Sequence, residues 1–397
     1  MRVAVPRETR VGERRVAATP DTVGRVIKLG YSVAIERGAG ALAGYSDDAY
    51  REAGAELVDD AFAVGDLLVK VNPPTPEEVD RVKGGALTLS LLYPAQNAEL
   101  VQRLAGRGVS ALALDRIPRI SRAQKMDVLS SMANISGYRA VIEAANLLPR
   151  FFAGQITAAG KTPPARVLVI GAGVAGLAAL GAARGLGAEV YAFDTRKAAR
   201  EQVESMGAKF LTVEIEESGE GGGGYGKEMS PAFIAAEMAL FREQAPHADV
   251  VITTALIPGK KAPLLWTRDM VELMKSGAVV VDLAAAQGGN CEVTRADEVV
   301  DHGGVSVVGY TDLTSRMAGH ASQFFARNVV HLLDDMSKHP GTDERSFRID
   351  LTDECVRGAL IVHAGEVLPP PPPPEPSPAA VAPKPAPAAA PPAPVAH

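Results

Sequence analysis

The stretch RVLVIGAGVAGLAALGAARGLGAEVYAFD, residues 166–194, limits the possible folds more than any other part of the chain. A short apolar run is followed by three glycines in G-x-G-x-x-G spacing, Gly171, Gly173 and Gly176, and then by a helical pattern. In such a unit the first glycine permits a tight turn, the second lets the backbone approach a pyrophosphate, and the third allows close packing of helix and strand. The stretch is therefore typical of a βαβ unit that binds a dinucleotide at its helix N-terminus.

The next apolar run ends at Asp194, 18 residues beyond Gly176. A carboxylate there usually accepts hydrogen bonds from the adenosine ribose and disfavours a 2′-phosphate, so the sequence favours NAD(H) over NADP(H). Arg196, two residues further on, leaves NADP(H) as an alternative. The predicted contacts of the dinucleotide along this stretch are Gly171, Gly173, Val174, Gly176, Asp194, Thr195 and Arg196.

Short Val, Ile and Leu runs alternate with helical patterns, which favours an α/β fold with largely parallel sheets. The predicted strands are RVAV, SVAIE, LLVKV, ALTLSLL and VSALAL, and then RVLVI, EVYAF, KFL, DVVITTA, AVVVDLA and VSVVGY. The predicted helices are TPDTVGRVIKLG, NAELVQRLAGRG, an apolar stretch from Met132 to Leu148, and QFFARNVVHLLDDM. Together they predict two doubly wound Rossmann-like domains that face each other across a cleft and are joined by long crossing helices.

The predicted domain boundaries assign residues 1–130 and 312–366 to an N-terminal domain and residues 131–311 to the NAD(H)-binding domain. Residues 367–397 form a third segment, in which Pro and Ala dominate and 14 of the chain's 29 prolines occur. Such a segment has too few large apolar side chains to build a core, so we predict a disordered, extended tail.

Composition argues against several kinds of partner and location. The net charge of -6 provides no basic footprint for nucleic acid. The uncharged run 167–183 is shorter than the ~20 apolar residues that span a bilayer, so direct membrane insertion is not expected. The N-terminus has no apolar signal-peptide core, and two cysteines, Cys291 and Cys355, suit a reducing compartment. We therefore expect a cytoplasmic protein, and no metal ligands are predicted.

Histidine is missing from the first half of the chain, because all seven histidines lie at or beyond residue 247. A dehydrogenase that oxidises an alcohol or amine needs a general base as well as a hydride acceptor, and histidine is the commonest base. Hydride transfer between two nicotinamide rings runs from carbon to carbon and requires only alignment. The missing base therefore weighs against the commonest dehydrogenase arrangement.

Several longer motifs carry a family resemblance over residues 1–365. In order they are VPRE, GERRVAATP, GAGALAGYSDDAYREAGAE, SRAQKMDVLSSMANISGYRAV, GAGVAGLAA, EQVESMGAKF, GYGKEM, TTALIPGKKAP and VDLAAAQGGNCE. With these motifs the chain resembles the NAD(H)-binding alpha component of proton-translocating NAD(P) transhydrogenase, which is related to alanine dehydrogenase. Longer relatives continue into transmembrane helices, whereas this sequence continues into the Pro/Ala-rich segment. The resemblance is therefore to the separate soluble form of that component.

The resemblance implies a set of site residues beyond the glycine motif. The polar stretch RISRAQKMDVLSS, residues 119–131, resembles the loop that holds the nicotinamide, which makes Arg119, Gln124, Asp127 and Ser130 the expected catalytic contacts. By the same resemblance Arg119 pairs with Asp127, and residues 216–229 form a mobile flap. The flap contacts would be Tyr225 and Met229, and the adenosine contacts Thr254, Ala255 and Leu256.

The resemblance also implies a reaction and partners. The expected reaction is hydride transfer between NAD(H) on this chain and NADP(H) on a partner subunit, coupled to proton translocation: NAD+ + NADPH + H+ (out) = NADH + NADP+ + H+ (in). The expected assembly is a homodimer held at the inner face of the plasma membrane by membrane-spanning subunits, including the NADP(H)-binding component.

Two other functions remain open. Arg15 and Lys70 match residues that hold the substrate carboxylate in alanine dehydrogenase. That enzyme's catalytic His should lie within residues 89–95, where there is none, and its catalytic Asp at the position of Ala286. Because loss of one general base costs ~10²- to 10⁴-fold in rate, we interpret Arg15 and Lys70 as structural charges. The other alternative is a non-catalytic NADH-sensing module.

Overall fold

The computed structural model describes residues 1–215, 217–219, 229–257, 261–338 and 345–371. Its first sheet has the strand order β17-β16-β6-β5-β4-β1-β2-β3. These strands are β1 (Arg2–Val5), β2 (Ser32–Glu36), β3 (Glu56–Val58), β4 (Leu67–Val69), β5 (Leu87–Ser90), β6 (Ser110–Ala113), β16 (Leu360–His363) and β17 (Glu366–Val367). Strands from β1 to β6 pair in parallel, whereas β16 joins β6 antiparallel.

The second sheet has the order β11-β10-β9-β12-β13-β15-β14. Its strands are β9 (Arg166–Ile170), β10 (Glu189–Phe193), β11 (Lys209–Leu211), β12 (Val250–Thr253), β13 (Val279–Asp282), β14 (Val299–His302) and β15 (Val305–Val308). All neighbours pair in parallel except β14 with β15. A separate antiparallel hairpin consists of β7 (Gln155–Thr157) and β8 (Gly160–Thr162).

Helices cover both sheets. They are α1 (Pro20–Lys28), α2 (Asp47–Glu52), α3 (Ala61–Val64), α4 (Pro76–Arg81), α5 (Ala98–Gly106), α6 (Val128–Leu147), α7 (Val174–Gly185), α8 (Ala199–Ser205), α9 (Pro231–Gln244), α10 (Arg268–Leu273), α11 (Ala318–Ser337) and α12 (Glu354–Ala359). The long helices α6 and α11 connect the two sheets, as the apolar patterns predicted. Helix α6 begins at Val128 rather than Met132, because the carboxylate of Asp127 accepts a hydrogen bond from the Ser130 amide and caps the helix.

Each sheet is doubly wound: the chain adds strands first on one side of the starting strand and then on the other side. The reversal lies between β1 and β4 in the first sheet and between β9 and β12 in the second. Ligands of such sheets bind beyond the carboxyl ends of the strands at this switch point. The predicted strands, the two long helices and the α/β fold class are confirmed. The antiparallel edges and the hairpin were not predicted.

Candidate functional site

The glycine motif forms a tight turn between β9 and α7. Gly171 has a φ of 98°, and a Cβ there would lie 2.4 Å from Thr254 Oγ1. A Cβ on Gly176 would lie 1.7 Å from the Gly171 carbonyl oxygen. Around Gly173, by contrast, the nearest atom to such a Cβ is Arg196 Nη2 at 4.0 Å. The backbone is therefore open to a ligand at Gly173, at the N-terminus of α7, and closed by packing on either side.

Asp194 ties the end of β10 to this turn. One carboxylate oxygen accepts hydrogen bonds from the Ala172 amide at 2.7 Å and Arg196 Nη2 at 2.8 Å. The other accepts from the Arg196 amide at 2.8 Å and Nε at 2.9 Å. These bonds raise the pKa of Arg196, so the guanidinium stays charged. A ribose bound at Asp194 would have to share the carboxylate with Arg196 or displace its guanidinium. The Asp194 carboxylate is thus held beside the glycine turn at the carboxyl end of β10, and Thr195 lies between Asp194 and Arg196 in the chain.

A second carboxylate lies close to Asp194 and was missed at the sequence level. Glu237, on α9, is only 6% exposed. Burial, and secondly the negative charge of Asp194, raise its pKa to about 7. Glu237 belongs to the apolar pattern PAFIAAEMALF, which offers no signal that its carboxylate would be buried beside another acid.

Glu237 should make stability depend on pH. The pKa of its carboxyl group is about 7 in the folded chain and near 4.5 when exposed. The contribution of Glu237 to the free energy of unfolding is therefore fully present below pH 4.5 and is lost as pH rises to about 7. The expected loss is on the order of 3 kcal/mol. The free energy of unfolding of Glu237→Gln, measured with urea, should equal that of the parent near pH 4 and exceed it near pH 8. Glu243→Gln, on the exposed face of the same helix, is the control. Parallel pH curves for Glu237→Gln and the parent would contradict the buried acid.

Thr254, Ala255 and Leu256 follow β12 on the other side of the switch point. Thr254 Oγ1 donates to the carbonyl oxygens of Gly171 at 3.0 Å and Ile170 at 3.2 Å, which joins this segment to the glycine turn. Leu256 is 37% exposed. The three residues therefore adjoin the turn, as a shared binding surface requires.

Asp282 and Asn290 hold this surface together, and neither was predicted. Both are fully buried. The carboxylate of Asp282 accepts hydrogen bonds from Thr253 Oγ1, Thr294 Oγ1 and the amides of Ala284, Asn290 and Cys291, at 2.7 to 3.1 Å. Asn290 Nδ2 in turn donates to the carbonyl oxygens of Ala255 at 2.9 Å and Pro263 at 2.8 Å. The loop after β13 thereby supports the loop after β12. The motif VDLAAAQGGNCE, which contains both residues, pointed to the region but not to these two roles.

Residues 119–131 are tied to the C-terminal part of the chain by polar contacts. Ser121–Met126 form a short 3-10 helix. Arg122 donates to Asp353 at 2.8 Å, Lys125 donates to Asp335 on α11 at 2.8 Å, and Asn328 Nδ2 donates to the Lys125 carbonyl oxygen at 2.9 Å. Two of the cations in this stretch are thus used to anchor it to α11 and to the N-terminus of α12.

The four predicted catalytic contacts lie on the same segment. Arg119 and Gln124 are exposed, and Asp127 and Ser130 are half-buried at the start of α6. Besides its cap bond at 2.9 Å, Asp127 accepts a hydrogen bond from Ser130 Oγ at 2.6 Å. This local pair orients both side chains, while the pairing of Arg119 with Asp127 stays a prediction.

The predicted flap is described only in part. Tyr225 lies outside the described residues. Met229 is buried in the cluster that includes Ile170, Phe193 and Phe233. Met229 is therefore part of the core on one side of the second sheet, and its contact with nucleotide stays a prediction.

Arg15 and Lys70 follow β1 and β4, the strands on either side of the switch point of the first sheet, and Lys70 and Asn72 line part of a cavity of about 300 Å³. The Arg15 guanidinium donates two hydrogen bonds to Glu13, at 2.8 and 2.6 Å, and Lys70 donates to Glu8 at 2.8 Å. Burial opposes ionisation of Glu13, but hydrogen bonds from Arg15, Asn72 and Ser315 outweigh it and lower its pKa to about 2. Both cations are therefore paired with carboxylates of the segment that follows β1, Arg15 with Glu13 and Lys70 with Glu8.

These features define a class of protein. A doubly wound parallel sheet, a glycine turn at its switch point and a carboxylate at the end of the next strand are the parts of a Rossmann-class dinucleotide-binding site. The open backbone at Gly173 and the acceptor at Asp194 fit the pyrophosphate and ribose of such a ligand. Among the described residues, no helix is both long and apolar enough to cross a membrane.

The chain belongs to the alanine dehydrogenase/PNT family. The model of that family's N-terminal domain matches residues 4–136, and the model of its C-terminal domain matches residues 140–370. The expected resemblance to the NAD(H)-binding component of transhydrogenase is confirmed by these matches and by individual relatives.

Three relatives illustrate the similarity. NAD(P) transhydrogenase subunit alpha of Cereibacter sphaeroides is 52% identical, over 93% of this chain and 71% of that protein. The chain that forms the first part of NAD(P) transhydrogenase subunit alpha in Rhodospirillum rubrum is 43% identical, over 93% of this chain and 98% of that one. The crystal structure of transhydrogenase from Sinorhizobium meliloti superimposes with a TM-score of 0.85 at 39% identity, covering 93% of this chain and all of that one.

Proposed function

We propose that this chain is the NAD(H)-binding subunit of a proton-translocating NAD(P) transhydrogenase. Its reaction is NADH + NADP+ = NAD+ + NADPH, with NADP(H) carried by a partner subunit and proton movement by membrane-spanning subunits. The observation that carries the proposal is the open glycine turn beside Asp194, which α6 joins to the polar loop of residues 119–131. The first half of the chain, which contains this loop, has no histidine. The relatives are named as subunit alpha of NAD(P) transhydrogenase, which supports the presence of partner subunits.

The residues of this chain act by binding and alignment. The backbone at Gly173 and Val174 would hold the pyrophosphate, and Asp194 would accept from the ribose. Thr254, Ala255 and Leu256 would adjoin the adenosine. Arg119, Gln124, Asp127 and Ser130 would hold the nicotinamide ring, which supplies or accepts the hydride when NAD(H) is bound. Carbon-to-carbon transfer needs this alignment and no proton acceptor from the protein.

The proposed assembly is a homodimer at the inner face of the membrane. The hairpin of β7 and β8 supports the dimer, because an isolated two-stranded hairpin is marginally stable in water. Two large apolar side chains are exposed here: Ile156 in the hairpin is 77% exposed, and Phe151, just before the hairpin, is 60% exposed. A second copy of the chain packed against the hairpin would cover both side chains. The proposed domains are residues 1–130 with 312–366 and residues 131–311, and the tail predicted from residue 367 would begin only after Val367, the last residue of β17.

Nucleotide preference is the first test. The purified chain should bind NADH at least about tenfold more tightly than NADPH in calorimetry, because a 2′-phosphate would meet the carboxylates of Asp194 and Glu237. Equal affinity, or tighter NADPH binding, would contradict the assignment of the site to NAD(H).

Activity with partners is the decisive test of the function. Combined with membrane subunits that carry NADP(H), the chain should catalyse transfer from NADPH to an NAD+ analogue whose reduced form absorbs at its own wavelength. Alanine with NAD+ should give no reduction, because residues 89–95 lack a histidine and position 286 is Ala286. Nucleotide binding without transfer would favour the sensing module, and a robust rate with alanine would favour the dehydrogenase.

A further inference from the structure

Helix α6 links the two ends of the proposed site. Its N-terminus carries Asp127 and Ser130, which belong to the loop proposed to hold the nicotinamide. Seven residues later, about 10 Å along the axis at 1.5 Å per residue, Gly137 is buried against α7. Helix α7 begins at the glycine turn proposed to hold the pyrophosphate. The position of α6 on α7 therefore determines how far apart these two groups lie.

The contact between the helices is made through backbone. A Cβ on Gly137 would lie 1.9 Å from the Ala175 carbonyl oxygen, 2.7 Å from its carbonyl carbon and 3.0 Å from its Cα. Ala175 is in the first turn of α7, next to Gly176. Because the three nearest atoms all belong to the backbone, a rotamer change cannot make room for an added methyl group.

The first turn of α7 is held equally closely on its other side. A Cβ on Gly176 would lie 1.7 Å from the Gly171 carbonyl oxygen and 2.8 Å from its carbonyl carbon. The glycine turn, the start of α7 and the middle of α6 thus form a stack in which backbone meets backbone twice. Below this stack the helices pack through small residues such as Ala140, Ala144 and Ala179, which keep them close.

We propose that Gly137 is a positioning residue for hydride transfer. Its missing side chain sets the spacing between the nicotinamide loop at the start of α6 and the pyrophosphate turn at the start of α7. The inference rests on the proposed function, since it concerns alignment of a dinucleotide bound to both. A Cβ is not found closer than 3.0 Å to such an atom, so a methyl group at 137 requires the helices to separate by about 1 Å. A misplacement of this size costs about 10²-fold where a reaction depends on alignment.

The test is Gly137→Ala in the complex reconstituted with the membrane subunits. Single-turnover transfer to an NAD+ analogue is followed by absorbance, and NADH affinity of the same preparation by calorimetry. The rate constant should fall about 10- to 100-fold, while the dissociation constant changes less than about fivefold, since either half of the site remains intact. Unfolded molecules reduce the amplitude and not the rate constant, so partial misfolding does not imitate this result. Gly185→Ala, on α7 with no atom within 4 Å of the added Cβ, is the control.

The outcomes separate the inference from the function. A slowed rate constant with retained affinity, against an unchanged control, supports the positioning role. A rate constant equal to that of the parent overturns it. Affinity and rate lost in parallel also overturn it, because Gly137 would then serve only the fold. Failure of the unmodified chain to transfer hydride with any membrane partner would contradict the proposed function itself.

Discussion

Gly176→Ala should abolish most NADH binding. Its Cβ would fall 1.7 Å from the Gly171 carbonyl oxygen, a backbone atom of the turn proposed to hold the pyrophosphate. The turn would have to rearrange, which costs about 1–3 kcal/mol of stability. The amides at the start of α7 would also lose their common direction. We expect the NADH dissociation constant from calorimetry to rise by about 100-fold or more.

The control for this change is Gly185→Ala at the other end of α7. It adds the same methyl group to the same helix, where nothing lies within 4 Å, so NADH binding should match the parent. Near-normal binding by Gly176→Ala would show that the nucleotide is not held at this turn. Thermal unfolding of both variants identifies any loss that reflects folding alone.

Arg119→Ala should slow hydride transfer with little loss of NADH affinity. Arg119 is exposed at the start of the polar loop, and a guanidinium there offers directed donors to a carboxamide or ribose oxygen. Because the pyrophosphate and adenosine contacts are untouched, the dissociation constant should change less than about fivefold. The single-turnover transfer rate in the reconstituted complex should fall about 10- to 100-fold.

Arg122 offers a matched control three residues along the chain. Its guanidinium is bonded to Asp353 at 2.8 Å and lies 3.5 Å from Asp335, in partly exposed ion pairs that contribute at most about 1 kcal/mol. Arg122→Ala should therefore leave the transfer rate unchanged. If both variants slow transfer equally, the loop acts only as a scaffold; if neither does, the nicotinamide is held elsewhere.

Local patterns were sufficient for most of the fold. The strand from Arg166 to Ile170 and its parallel neighbours are continuous apolar runs, because strands buried on both faces expose no side that favours polar residues. The long helix ending at Leu147 was predicted from its apolar length, but its start at Val128 depends on the cap by Asp127. Antiparallel edge strands such as Val299–His302 alternate between exposed and half-buried residues, and this weak pattern escaped prediction.

The candidate site was predictable where spacing along the chain determines chemistry. The glycine turn and Asp194 are such cases, since one strand, one turn and one helix bring them together. Glu237 and Asn290 were missed because their neighbours come from distant segments. Asn290 bonds the carbonyl oxygen of Ala255, 35 residues earlier, and the pKa of Glu237 reflects burial beside Asp194.

Residues 119–131 separate what the sequence determined from what only the tertiary structure decided. The sequence alone determined that polar donors and acceptors precede an apolar helix and that no histidine accompanies them, because these are properties of residue type and order. It could not show that Arg122 and Lys125 anchor this stretch to the rest of the chain. Their partner Asp335 lies more than 200 residues away, and only the packing of α11 against the loop brings these charges together. Long-range contacts of this kind leave no periodic signal in the chain, so the anchoring of the loop by Arg122 and Lys125 appears only in the folded molecule.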